Sequence, residues 1–229
     1  MAFQNQELPL DDSPLLDGRW LPPGKMTEEQ FVAWCDEDTR AEWVDGEVVM
    51  MSPANYEHVA LSRWLVNVIG LFVEQRDLGE IFEEFQLRLP SQRRRRTPDL
   101  CFLAKDRLHL IRPTHLEGAP DLIFEIVSPD SQARDWREKY LEYEAAGVRE
   151  YWVIDPMSQR LEAYAIGEAD RENHQGQASA YRRLEPADAA ISSTVLPGFR
   201  LRIDWLWPQT RPKVLDALRE LGVLGSPPK

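Results

Sequence analysis

The chain is predicted to be an α/β protein built on a mixed sheet, and three observations predict it. The stretch "DLIFEIVSPD" (121–130) reads as a buried strand, a short apolar run bounded by a Ser-Pro turn signal. "SQARDWREKYLEYEAAGV" after it reads as a helix of about four turns, with Ser131 as N-cap and Gly147 as the stop. "EYWVID" is then a strand again, so strand, crossover helix and strand form a unit whose strands should pair in parallel.

The remaining elements follow in chain order. Residues 1–25 are expected to be an irregular arm, because "SPLLDGRWLPPGK" interleaves prolines and glycines with no sustained period. "MTEEQFVAWCDED" is expected to be a helix opened by a capping box, Thr27 with Gln30 three residues on. "AEWVDGEVVMMSP" reads as a hairpin turning at Asp45-Gly46. From 57 to 75 the apolar residues Val59, Leu61, Leu65, Val68, Ile69 and Phe72 recur at helical spacing and predict a core-packed helix. "EIFEEFQLRL" and "PDLCFLA" are expected strands separated by Arg93–Arg96, which read as an exposed hairpin loop. A loop with Pro113 and Pro120 leads into the strand at 121, and "RLEAYAI" should pair with "EYWVID" across the Asp155-Pro156 turn. The tail after Trp207 is predicted to hold a short helix at most.

At 229 residues and 43% hydrophobic content the chain can bury a substantial core. A net charge of −12 argues against a protein that coats nucleic acid nonspecifically, since neutralising phosphates takes clustered Lys and Arg. Cys35 and Cys101 give no disulfide framework, the first twenty residues lack a signal-peptide layout, and no apolar run is long enough to span a bilayer. A cytoplasmic protein with no membrane association is the expectation. The eight tryptophans read as core and interface anchors, because no aromatics interleave with basic residues as a base-stacking platform would require.

Glu125 is the anomaly that points to a site. Strand alternation places it with Ile123 and Val127 on one apolar face, and a buried carboxylate costs several kcal/mol or more unless it is paired, protonated or bound to a metal. Asp99 follows Pro98 at the start of the preceding strand. If that strand neighbours the one at 122, the two carboxylates meet, and a divalent cation between them would relieve their repulsion. Mg²⁺ suits this arrangement because it takes one or two carboxylates and leaves its other positions to water and phosphate. Asp135, Lys139 and Tyr143 are spaced to line one face of the following helix, so Lys139 could point into the same place. The bland reading is a structural ion pair between Glu125 and Arg134 or Arg137.

These segments carry a resemblance. "TPDL", "LIFEIVSPD" and "DWREKYLEYEAAGVREYWVIDP", with "AEWVDGEVVMMSPANYEHVALSRWL" upstream, resemble the Uma2 family of the PD-(D/E)xK nuclease superfamily over residues 26–206. The resemblance implies a restriction-endonuclease-like αβββαβ core, with the N-terminal helix and hairpin added, and a Mg²⁺-dependent phosphodiesterase site. It departs at Val127, where the superfamily pattern has its lysine, and Lys139 takes that role by analogy with members whose lysine has moved to the next helix. The resemblance also makes Glu42 and His58 auxiliary candidates and the Ile126 carbonyl a further metal ligand. His109, His115 and His174 receive no role.

The expectation is therefore a Mg²⁺-dependent endonuclease acting on DNA, with Mn²⁺ as substitute metal. Asp99, Glu125 and Lys139 are its catalytic set, and Asp135 and Tyr143 support Lys139. Arg93, Arg94, Arg95 and Arg96 form a candidate rim for the nucleic-acid backbone, and cutting both strands of a duplex would call for a homodimer. The alternatives are a nuclease-like scaffold that binds without cutting, and a metal-dependent hydrolase of a small phosphodiester. The domain is expected at 26–206, followed by a tail at 207–229.

Overall fold

The computed structural model describes residues 15–16, 19–20, 24–36, 38–128, 134–167 and 180–225. The strands are β1 (Leu15–Leu16), β2 (Arg19–Trp20), β3 (Ala41–Val44), β4 (Glu47–Met50), β5 (Gly79–Glu83), β6 (Leu87–Leu89), β7 (Arg94–Arg96) and β8 (Leu100–Ala104). They continue as β9 (Leu116–Glu117), β10 (Leu122–Ile126), β11 (Glu150–Asp155), β12 (Arg160–Ile166), β13 (Tyr181–Arg183), β14 (Ala190–Ser192) and β15 (Arg200–Arg202). The helices are α1 (Glu28–Trp34), α2 (Tyr56–Gln75), α3 (Lys139–Ala146) and α4 (Val214–Glu220).

Two mixed sheets organise the chain, a six-stranded one ordered β13-β12-β11-β10-β8-β5 and a five-stranded one ordered β4-β3-β7-β6-β9. β10 pairs in parallel with β11, as the crossover reading requires, and antiparallel with β8, with Phe124 opposite Leu100. Alternation along β10 sends Leu122, Phe124 and Ile126 against α2, where they pack with Leu65, Ile69 and Phe72. Ile123 and Val127 face the other way, into a second core shared with Cys101, Tyr143 and Leu87 of the five-stranded sheet. The large sheet is thus covered on both faces, which is why β10 is buried at every position.

Local chemistry explains most of the boundaries. Thr27 and Gln30 form the capping box of α1, whose buried Phe31 packs on Ala41 and Trp43 of β3. Asp45 and Gly46 turn the β3–β4 hairpin with positive φ at both positions. Gly147 ends α3 in the left-handed conformation at φ 84°.

Several expectations are corrected. "EIFEEFQLRL" is two strands in different sheets, because the chain breaks between them, with Glu84 at φ 49°. Arg93–Arg96 is no exposed hairpin loop: Arg94–Arg96 is β7, inside the five-stranded sheet, and only Arg93 is exposed. The helix before Gly147 opens with a π turn at Arg134–Glu138, and its expected cap Ser131 lies outside the described residues. Val59 is 51% exposed and does not join the α2 core. The expected arm contains the short β1–β2 pair. The tail helix α4 docks on α2, with Ala217 in the same core cluster as Trp64 and the Trp64 indole donating to the Pro212 carbonyl at 2.8 Å.

Candidate active site

One cavity of about 70 Å³ brings together Glu42, His58, Asp99, Glu125, Ile126 and Lys139. They come from β3, the first turn of α2, the entry to β8, the end of β10 and the first residue of α3. The site therefore sits where the two sheets and both major helices converge.

Glu125 is 2% exposed and has a cation and a hydroxyl as partners. The Lys139 ammonium lies 2.9 Å from one carboxylate oxygen, and the Tyr143 hydroxyl donates to the other at 2.8 Å. Their i, i+4 spacing on α3 lets two consecutive turns of one helix address the same carboxylate. Burial, then the charges of Glu125 and Glu42, push the Tyr143 phenol well above its ordinary range, so it remains a donor. Arg137, an alternative partner considered from sequence, is exposed.

Asp99 caps the end of the β8–β10 ladder. One carboxylate oxygen accepts the Ile126 backbone N–H at 2.6 Å, where a further strand residue would otherwise pair. Its other oxygen accepts from His58 Nε2 at 2.9 Å, which assigns the proton to that nitrogen. His58 is fixed at the start of α2 by the Asn55 cap, whose side chain accepts from the His58 amide. Asp99 thus holds the backbone of the residue next to Glu125. In a strand the N–H and C=O of one residue point to the same side, so the Ile126 carbonyl also faces the cavity.

A buried ion network supports the site from the five-stranded sheet. Arg96 donates to Glu42 at 2.7 Å and through two nitrogens to Glu142 of α3 at 2.8 and 2.7 Å. Glu42 also accepts the Thr97 N–H at 3.0 Å. Burial alone would raise the Glu42 carboxyl, but the positive charges of Lys139 and Arg96 outweigh it and hold it below the usual carboxylate range. Arg95 turns to Glu28 and Gln86, and Arg94 to Asp45 and Glu142. None of Arg93–Arg96 lines the cavity, so the expected basic rim is instead mostly a structural strut. The Asp135 side chain lies outside the described residues.

The residues missed from sequence are Glu142 and the cavity-lining Arg40, Ser52, Glu84, Thr97 and Ser128. Glu142, three residues after Lys139 on α3, could have been suspected from spacing; the others carry no local signal.

The donor set can be tested against a metal. Among the described residues no three His, Cys, Asp or Glu side chains gather as a cation cage. Two carboxylates and a strand-end carbonyl remain, which is a poor set for Zn²⁺ and fits Mg²⁺, an ion that keeps much of its water. Asp99 accepts one hydrogen bond at each carboxylate oxygen, which leaves each with a further lone pair.

This architecture defines a nuclease-like α/β fold. It is similar to the crystal structure titled as a "putative nuclease belonging to DUF820" from Anabaena variabilis ATCC 29413, with a TM-score of 0.63 and 20% sequence identity over 79% of this chain and 97% of that one. Residues 28–204 match the model of the Uma2 family, described as "Putative restriction endonuclease", and the chain belongs to that family. No curated protein matches it. Among the described residues no helix is long and apolar enough to cross a membrane.

Proposed function

We propose that the chain is a Mg²⁺-dependent endonuclease that hydrolyses phosphodiester bonds in DNA. The observation that carries this reading is the Lys139 ammonium 2.9 Å from the buried Glu125 carboxylate, in a cavity that Asp99 also lines. Asp99, Glu125 and the Ile126 carbonyl would hold the metal. When bound, it supplies Lewis acidity, lowers the pKa of a coordinated water and offsets charge on the scissile phosphate.

The chain's own groups do the positioning. Lys139 donates from its ammonium to the attacking water or to a non-bridging phosphate oxygen, where negative charge develops. Tyr143 fixes the Glu125 carboxylate plane, so that Glu125 presents one defined edge to the cavity. His58 and the Ile126 amide do the same for Asp99. The description of the family as restriction endonucleases supports nucleic acid as substrate. Cutting two antiparallel strands at one locus calls for two such sites related by a two-fold axis, which makes a homodimer the working assembly.

The test is cleavage of supercoiled plasmid and of single-stranded oligonucleotides with Mg²⁺, Mn²⁺ or EDTA, comparing the wild type with Glu125→Gln. Metal-dependent nicking that vanishes in the variant supports the reading. Equal activity of both proteins, or none in either, sinks it.

A further inference from the structure

The cavity is walled by four carboxylates, Glu42, Glu84, Asp99 and Glu125, against two permanent cations, Arg40 and Lys139. A phosphodiester brings a further negative charge, so even with a divalent cation bound the site needs a positive group that can turn to the substrate. Lys139 already serves Glu125 and, in the reading above, the attacking water or the scissile phosphate, so of these two cations only Arg40 remains for a flanking phosphate. Arg95 and Arg96 are buried in ion pairs and do not line this cavity; Arg95 does line the larger space beside it, but Glu28 and Gln86 hold its guanidinium. Arg40 differs from all of these: it is ion-paired with Glu84, but the two side chains are 51% and 45% exposed. Exposed pairs of this kind contribute little and exchange readily for a competing anion.

Its position adds a second observation. A larger cavity of about 710 Å³ lies beside the first, and Arg40, Met51, Glu84 and Thr97 line both. The Arg40–Glu84 pair therefore stands at the junction of the two spaces. Beyond it the larger cavity is lined by the exposed Val32 and Pro113 and the half-buried Phe85, apolar surface suited to the face of a sugar or base. Arg40 is anchored by its backbone, whose carbonyl accepts the Met51 N–H at 2.9 Å, so its guanidinium can turn without disturbing β3.

We infer that Arg40 and Glu84 form a substrate latch: Arg40 leaves Glu84 to take the phosphate that flanks the scissile one, and Glu84 opposes binding until it does. The latch rests on the nucleic-acid reading above and adds a positioning residue, with a counter-charge, that sets affinity. Arg40 is suited to the task because its guanidinium can bind phosphate through two parallel hydrogen bonds. The consequence is that the two partners of one ion pair have opposite effects: removing Arg40 weakens binding and removing the Glu84 charge strengthens it. A purely structural pair would give the same sign for both.

The experiment is fluorescence-anisotropy binding of a labelled DNA oligonucleotide, single-stranded and duplex, with Ca²⁺ in place of Mg²⁺ and over a range of salt. Arg40→Ala, Arg40→Lys and Glu84→Gln are compared with the wild type, and each is also assayed for cleavage. The latch requires Arg40→Ala to weaken binding about fivefold and to flatten the salt dependence by about one phosphate contact, with Arg40→Lys intermediate. It requires Glu84→Gln to tighten binding by about threefold, with KM following and kcat little changed. Melting curves of all variants should coincide with the wild type. Variants that bind as the wild type does, or that weaken together, overturn the latch while leaving a cleaving wild type as a nuclease. A wild type that neither binds nor cuts DNA overturns both readings.

Discussion

Replacing Arg96 with methionine should cost the protein about 3 kcal/mol or more, because the change strands a buried charge. Arg96 is 1% exposed, and it joins Glu42, itself 2% exposed, to Glu142 at 13%. Three of its hydrogen bonds, at 2.7 to 2.8 Å, disappear together. Glu142 keeps Arg94 at 3.2 Å, so part of its charge stays compensated. Among the described residues Glu42 keeps the Thr97 amide and the field of Lys139. Breaking a buried pair from one side costs about 3–5 kcal/mol, and the surviving partners place this case near the lower end. That is a large share of the roughly 5–15 kcal/mol that holds a typical domain together.

The assay is guanidinium denaturation at neutral pH, followed through the tryptophans. Arg96→Met combined with Glu42→Gln should recover part of the loss, because the stranded charge is gone. pH gives an independent check. Glu42 has a depressed pKa in the folded chain, so its stabilisation is complete above the ordinary carboxylate value of about 4.5 and fades as pH falls through the lower folded value. Without Arg96 that fading begins at higher pH. A loss below about 1 kcal/mol, the range of an exposed pair, would refute the reasoning, as would a double variant no more stable than the single one.

Other consequences are checked as directly. Tyr143→Phe removes a buried donor to Glu125 and should lower stability by about 1.5–3 kcal/mol, with kcat falling about tenfold and KM little changed; unaltered kinetics would remove Tyr143 from the site. Gly79 lies at φ 151°, with space for a Cβ only 2.1 Å from the Leu103 carbonyl oxygen, so Gly79→Ala should lower the denaturation midpoint by more than 1 kcal/mol would, about the usual upper limit of glycine's entropic penalty. Cys101 is buried, and burial, with Glu125 beside it, pushes its thiol up to about 12. In the native protein a thiol reagent at mildly alkaline pH should therefore modify Cys35 and spare Cys101, and unfolding should expose both; rapid native labelling of Cys101 would contradict its packing.

What could be read from the sequence was local or periodic. The alternation around Glu125 located a carboxylate on an apolar face, and that face is where the structure has it, beside Lys139 and Tyr143. The capping box at Thr27, the Asp45-Gly46 turn and the Gly147 stop each owe their form to a few adjacent residues. The arginine run misled because four consecutive cations read as solvated until their partners are known. Those partners, Glu28, Glu42 and Glu142, arrive from α1, β3 and α3, 46 to 67 residues away for the bonds from Arg95 and Arg96. The break between β5 and β6 was hidden for a related reason, since Glu84 adopts positive φ without the glycine or asparagine that usually signals it. His58 came only from the family resemblance, and its bond to Asp99 spans 41 residues of sequence.

The central claim separates metal ligands from a positioning cation, and Mn²⁺ binding tests that separation most directly. Titrating the wild type, Asp99→Asn and Lys139→Ala with Mn²⁺ by electron paramagnetic resonance, and assaying DNA cleavage on the same samples, distinguishes the roles. The account predicts that the wild type binds and cuts, that Lys139→Ala binds Mn²⁺ at least as well but does not cut, and that Asp99→Asn does neither. Equal Mn²⁺ binding by all three proteins, or cleavage by Lys139→Ala at the wild-type rate, would contradict it.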